Sequence, residues 1–327
     1  MIIDVRHGDS TAIMATLDAD SVDAVVTDPP YGFRLMGRHW DGGVPGVDAW
    51  AQALRVAKPG AHLLAFGGTR TVHRLAVAIE DAGWDIRDML MWIHGSGFPK
   101  SRASLKPAVE PIIMARKPLR GTVAANVEAY GTGTLQIDAC RVGDEGGCCD
   151  VGIKPDGYQG RVYGKELNTR YKWTVVPGLG RWPANVLHDG SDIATAGMGD
   201  AARYFYCAKA QRADRDDGCD DLPLKMPFGG IDTWTEYDRR RGENAVRQPL
   251  HNHHPTVKPT ALMTWLCQLV TPPGGVVLDP FCGSGSTGRG AIAAGAKRFV
   301  GIDQDEEYCE IARRRVAAML RPMDSFC

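Results

Sequence analysis

Apolar, often β-branched runs alternate with amphipathic stretches of helical spacing over the first hundred residues. Ile2 to Val5 predicts a strand that stops at Gly8-Asp9-Ser10, where Ser10 or Thr11 is placed to cap a helix. Ser21 to Thr27 is apolar and β-branched, the pattern of a buried strand. Helix is predicted over Asp48 to Val56, strand over Ala61 to Phe66, helix over Thr69 to Ala82 and strand over Ile86 to Ile93. Pro59-Gly60, Gly67-Gly68 and Gly83 punctuate these elements. Regular patterning returns after Pro259, with helices over Thr260 to Thr271, Ser286 to Ala294 and Glu306 to Leu320. Between them lie strands at Val276 to Leu278 and Phe299 to Asp303. Strands alternating with helices predict an α/β sheet covered on both faces.

The middle breaks that rhythm. Residues 101–252 are rich in Gly and Pro, with short apolar runs and mixed charge clusters, and Gly143 to Gly160 is poorest in regular signals. The expected organisation is one domain built from residues 1–100 and 253–327, carrying an irregular insertion over 101–252.

Composition narrows the class. Hydrophobic residues make up 44% of the chain and charged residues 24%, as in ordinary globular proteins. No apolar run reaches the length of about 18 residues that a membrane helix needs. The N-terminus lacks a signal-peptide pattern, and nine scattered cysteines form no disulfide framework, so reduced thiols in a cytoplasm are expected. No Cys-x-x-Cys pair accompanies Cys140, Cys148, Cys149 or the histidines His251, His253 and His254, so no metal site is expected. The net charge of −1 does not advertise nucleic-acid binding. Locally, Lys100 to Arg181 carries 13 Lys and Arg against 8 Asp and Glu. That balance fits both a face that grips phosphates and a normal solvated surface.

Two segments carry candidate chemistry. In the first, a buried strand runs into Asp28-Pro29-Pro30-Tyr31. An aromatic amine is a poor nucleophile because its lone pair is delocalised into the ring. Asp28 and the Pro29 carbonyl, held rigid by two prolines, could accept both N–H groups of such an amine, and Tyr31 could stack on its ring. The same tetrapeptide also serves as an ordinary turn. In the second, strand, glycine turn and helix follow one another through Val276-Val277-Leu278-Asp279-Pro280-Phe281-Cys282-Gly283-Ser284-Gly285-Ser286-Thr287. Such a turn brings backbone close to a ligand at a helix N-terminus. Asp303 ends the next strand eighteen residues after Gly285, where a carboxylate can bind ribose hydroxyls. The turn lacks the three-glycine spacing of a nicotinamide site.

These segments resemble the beta class of S-adenosylmethionine-dependent DNA amino-methyltransferases. Asp279-Pro280-Phe281-Cys282-Gly283-Ser284-Gly285 is similar to that family's cofactor loop, and His254-Pro255-Thr256-Val257-Lys258-Pro259 to the segment supporting the methionine end of the cofactor. Gly8-Asp9-Ser10 resembles the turn that reaches the cofactor adenine. Further segments, including Lys58 to Arg70, Gly95 to Ser101, Gly180 to Val186 and Tyr204 to Ala210, look like a phage- and prophage-associated branch.

The resemblance implies a Rossmann-like sheet of seven strands, mostly parallel with one antiparallel strand. It also implies the circularly permuted order in which the catalytic corner precedes the cofactor loop. Asp28, Pro29, Pro30 and Tyr31 would be catalytic. Asp9, Ser10, Asp28, Lys258, Pro259, Asp279, Phe281, Gly283, Gly285 and Asp303 would bind S-adenosylmethionine. The insertion would recognise double-stranded DNA, with Arg161, Arg170, Lys172 and Arg181 as the basic residues to test, each of which also reads as a surface charge. Aspartate at position 28 implies adenine N6 as the acceptor. Cytosine N4 and an inactive DNA-binding protein on the same fold are the alternatives. The family is compatible with a homodimer, for which the sequence displays no interface.

Overall fold

The computed structural model describes residues 1–33, 41–95, 97, 102–144, 147–148, 175–176, 178–208, 213–225 and 249–321. Its main sheet contains β1 (Ile2–His7), β2 (Val22–Thr27), β3 (Ala57–Phe66), β4 (Asp85–Ile93), β5 (Val109–Arg116), β6 (Val186–His188), β7 (Tyr206–Cys207), β8 (Val276–Asp279) and β9 (Arg298–Asp303). The strand order is β1-β9-β8-β2-β3-β5-β4-β6-β7. Every neighbouring pair is parallel except those made by β5, which runs antiparallel to both β3 and β4.

Side-chain alternation along the central strands builds two cores. Ala24, Val26, Leu64, Phe66, Ile112 and Met114 face one side. Val25, Leu63, Ala65, Ile113 and Ala115 face the other. Both sets are buried, which is why β2 and β3 read as continuous apolar runs. The first face is covered by α5 (Thr260–Val270), α6 (Ser286–Ala293) and α7 (Glu306–Ala318), through residues such as Leu262, Ala291 and Val316. The second is covered by α1 (Ser10–Ala15), α2 (Val47–Val56) and α3 (Val72–Asp81), through Met14, Trp50, Leu75 and Ile79.

Two features depart from the expected layout. The break in patterning at Ser101 is not a break in the sheet, because β5 lies wholly beyond residue 100 and sits between β3 and β4. Helix α4 (Val123–Tyr130) then packs beside β3, where buried Asn126 donates to the carbonyls of Pro59 at 2.9 Å and Thr132 at 2.7 Å. Beyond residue 100, β5 and α4 are therefore packed into the same sheet body as β3 and β4. Among the described residues the sheet also has nine strands rather than the expected seven, since β6 and β7 extend it beyond β4.

Candidate active site

Helices that follow β8 and β9 lie on one face of the sheet, and those that follow β2 and β3 lie on the other. The crevice at the carboxyl ends of β8 and β2 is thus a topological switch point, where α/β sheets bind ligands. A cavity of about 640 Å³ occupies it.

On one side, β8 ends in Asp279, whose Oδ1 accepts from Thr27 Oγ1 at 2.6 Å and from the Phe281 amide at 3.1 Å. Burial pushes this carboxyl up to about 7. It braces the two chain segments that leave β2 and β8. Gly283 and Gly285 then take φ of 47° and 81°, conformations that favour glycine. A Cβ on Gly283 would lie 2.6 Å from His254 Nε2, so the loop touches that ring only because Gly283 has no side chain. A Cβ on Gly285 would lie 2.9 Å from the Ala312 backbone in α7, so Gly285 is a packing residue.

Asp303, at the end of β9, accepts the Gly283 amide at 2.8 Å on one oxygen and the Asp305 amide at 2.9 Å on the other. Burial raises its pKa. A carboxylate has about four acceptor sites, so each oxygen keeps one for a ligand hydroxyl. Asp9 caps α1 by accepting from the Ala12 amide at 2.8 Å, the place the sequence assigned to Ser10 or Thr11, and its other oxygen remains beside the cavity. His254 Nδ1 accepts from the Thr256 amide at 3.3 Å, which leaves the ring proton on Nε2. The ring meets Tyr308 edge-on at 4.5 Å. Burial holds it neutral, with a pKa of about 3.

Across the cavity, Asp28, Tyr31, Lys258 and Glu110 form one cluster. Lys258 Nζ lies 2.6 Å from Asp28 Oδ2 and 3.1 Å from Glu110 Oε2. The Tyr31 hydroxyl lies 2.8 Å from Asp28 Oδ1 and 2.9 Å from Glu110 Oε2. Burial raises the pKa of Asp28, with the Glu110 charge adding to it and Lys258 opposing it. Burial also works upward on Glu110, but Lys258 and Tyr31 outweigh it and hold Glu110 low. Lys258 is held firmly protonated because its two carboxylate partners outweigh its own burial. Burial and the same carboxylates keep Tyr31 a phenol.

The corner itself is clamped from two sides. Thr71 Oγ1 donates to the Tyr31 carbonyl at 2.7 Å, and the amides of Gly32 and Phe33 donate to the Asp41 carboxylate at 2.7 and 3.1 Å. The Arg70 guanidinium sits 4.4 Å over the Phe33 ring, which meets Tyr31 edge-on.

Asp9, Ser10, Asp28, Pro29, Pro30, Tyr31, Lys258, Asp279, Phe281, Gly283 and Asp303 all line this one cavity. Pro259 and Gly285 do not: Pro259 precedes the first turn of α5, and Gly285 packs on α7. Lys258, expected at the methionine end of a cofactor, lines the cavity and contacts Asp28, Glu110 and Tyr31. Arg161, Arg170 and Lys172 fall outside the described residues. Arg181 exchanges backbone hydrogen bonds of 2.9 and 3.0 Å with Val142, next to Trp182, whose ring lies 5.5 Å from the Arg141 guanidinium. Cys282 is buried, and burial raises its thiol pKa far above the ordinary value, which removes it as a nucleophile. Among the described residues, no helix is long and apolar enough to cross a membrane, and no group of three or more His, Cys, Asp or Glu side chains could hold a metal ion.

Glu110 and Trp92 were not singled out from the sequence. They face each other across β5 and β4 and line the cavity. Because β5 is antiparallel, its first residues lie at the edge where its neighbours end. The available signal in the sequence was an acidic residue at the start of an apolar run, Val109-Glu110-Pro111-Ile112-Ile113.

Residues 22–314 match the N6/N4 methyltransferase family model, described as DNA methylase. DNA adenine methyltransferase YhdJ of Escherichia coli (strain K12) is 24% identical over 325 residues, which are 95% of this chain and 82% of that protein. Among solved structures, the cytosine-N4-specific PvuII DNA methyltransferase superposes with a TM-score of 0.50 at 13% identity, covering 99% of this chain and 88% of that one. The M1.HpyAVI–SAM complex gives 0.47 at 18% identity, covering 96% and 100%. The PvuII enzyme shares the fold. With the family model spanning most of its length, this chain belongs to the N6/N4 family of DNA methylases.

Proposed function

We propose that the chain transfers a methyl group to the exocyclic N6 of adenine in double-stranded DNA, with the target base turned out of the duplex into the cavity. S-adenosylmethionine is the cofactor. The carrying observation is that the Asp28–Tyr31 corner and the Gly283–Asp303 cradle open on one cavity, so an amine held at the first meets a donor held at the second.

The residues around the cradle fit a nucleoside with an amino-acid tail. Asp303 has acceptor capacity for ribose hydroxyls, and Asp9 and Phe281 lie in the same wall. When bound, S-adenosylmethionine supplies a methyl group on a sulfonium. Everything else falls to the protein. Asp28 accepts one amine N–H and the Pro29 carbonyl the other, which localises the nitrogen lone pair. Tyr31 offers an aromatic face, and Lys258 fixes the Asp28 carboxylate at 2.6 Å. In this reading the nitrogen itself attacks the methyl group, and no covalent bond forms between protein and base.

Adenine is favoured over cytosine by the aspartate at position 28 and by the relative YhdJ, an adenine methyltransferase aligned over 95% of the chain. The chain order, with the catalytic corner before the cofactor loop, supports the permuted arrangement. The part of residues 101–252 beyond α4 supplies target recognition and DNA contact, with Arg181 among its contacts. The test is in vitro: purified protein, isotopically labelled S-adenosylmethionine and duplex DNA, followed by digestion and mass spectrometry of the nucleosides. Labelled N6-methyladenine is the expected product. Labelled N4-methylcytosine would overturn the base assignment, and no labelled nucleoside would overturn the activity.

A further inference from the structure

The Tyr31 hydroxyl touches Asp28 Oδ1 at 2.8 Å and Glu110 Oε2 at 2.9 Å. A phenol has only one proton to donate. The remaining contact sets two bare oxygens against each other, eased by the Lys258 ammonium 3.3 Å from the Tyr31 oxygen, and a second proton held by a carboxylic acid completes it. Charge points the same way: two half-buried carboxylates face the single buried ammonium of Lys258, and one added proton makes the cluster neutral. The other ionisable neighbours are His94, 3.8 Å from Glu110 Oε1, and Asp279, which is electrostatically coupled to Asp28.

We infer that Asp28 and Glu110 share one proton through the Tyr31 hydroxyl, and that Glu110 takes it up when the target amine needs Asp28 as an acceptor. The resting proton is assigned to Asp28, which burial and the Glu110 charge push upward against the 2.6 Å Lys258 contact, while Lys258 and Tyr31 hold Glu110 down against its burial. The shift moves two protons by one hop each. Asp28 gives its proton to the Tyr31 oxygen, and Tyr31 gives its own to Glu110. The products are an ionised Asp28, a neutral Tyr31 and a protonated Glu110, with no change in total charge. Glu110 is thus a positioning residue that sets the proton state of Asp28. The part concerning the amine rests on the proposed reading of Asp28 as its acceptor.

The test begins with infrared spectra of the unliganded protein carrying 13C-labelled aspartate. A protonated aspartate carbonyl band at pH 7 is expected. Asp279 contributes its own band, so the relevant signal is the part lost in Asp28→Asn. The same signal should vanish in Glu110→Gln, where Asp28 faces Lys258 alone. Absence of that signal from the wild type, or its persistence in Glu110→Gln, overturns the shared proton. Single-turnover methylation against pH supplies the second readout. Glu110→Gln should move the acid limb down by about one pH unit, because the like charge that raised Asp28 is gone. A purely structural role would lower the rate at every pH and leave the limb in place, which overturns the inference. The infrared comparison is independent of turnover, so failure of the methylation reading and failure of the shared proton are told apart.

Discussion

Lys258→Met tests whether the catalytic cluster is held together by one buried charge. Lys258 Nζ sits 2.6 Å from Asp28 and 3.1 Å from Glu110, beside the Phe66 ring at 4.9 Å, and its side chain is 7% exposed. Methionine keeps the length and apolar packing and removes only the ammonium. Losing one partner of a buried ion pair costs about 3–5 kcal/mol. The orphaned carboxyls can escape part of that by taking up a further proton beyond the one they share. At pH 7 that uptake costs about 4 kcal/mol for a carboxyl with an unfolded pKa near 4. The expected loss at pH 7 is therefore about 3–4 kcal/mol.

Its sign with pH follows from the same carboxyls. Their folded pKa in the variant stands above the unfolded value, so the variant is relatively stable below about pH 4 and loses stability as pH rises toward the folded pKa. Denaturant unfolding of wild type and variant, side by side at pH 5 and pH 7.5, measures this. A deficit below about 1 kcal/mol at pH 7.5, or one equal at both pH values, would refute the reasoning.

Three further outcomes follow from individual contacts. Gly283→Ala should weaken S-adenosylmethionine binding measured by calorimetry, because φ of 47° costs a Cβ about 1–2 kcal/mol and that Cβ would meet His254 at 2.6 Å; unchanged affinity would mean the loop is not the cradle. His62 is buried neutral with a pKa of about 4, so its contribution is full above pH 6.5 and is lost on acidification toward pH 4, by about 1.4 kcal/mol per pH unit. His62→Leu should flatten that acid slope in unfolding measurements. Arg181→Ala should weaken duplex binding alike on all sequences and reduce the salt slope by about one unit, if Arg181 grips a phosphate; a sequence-dependent loss would make it a base reader.

The alternating apolar patterns carried most of the sheet domain, because strands buried on both faces and helices with one apolar stripe leave strong local signatures. Residues 22–27 and 276–279 were legible for that reason, and the motifs at their ends fall in one cavity. Strand β5 was obscured by Glu110 and Pro111 at its start, polar and strand-breaking choices made for the cavity and not for the sheet. The three-residue β6 and two-residue β7 are too short for any period to show. Glu110 depends on a long-range fact, the antiparallel insertion of β5 between β3 and β4, which no local pattern encodes. The Asp9 cap shows a smaller version of the same limit, since Asp, Ser and Thr compete for one N-cap and the backbone decides among them.

The central claim is methyl transfer to adenine N6 at a defined DNA sequence, with Asp28 as the acceptor of the amine. Single-molecule sequencing of DNA from cells expressing the chain, beside an Asp28→Ala control, tests it most directly. The account predicts N6-methyladenine at one short motif in the first sample and none in the control. Modified cytosine, or adenine modification that survives Asp28→Ala, would contradict it.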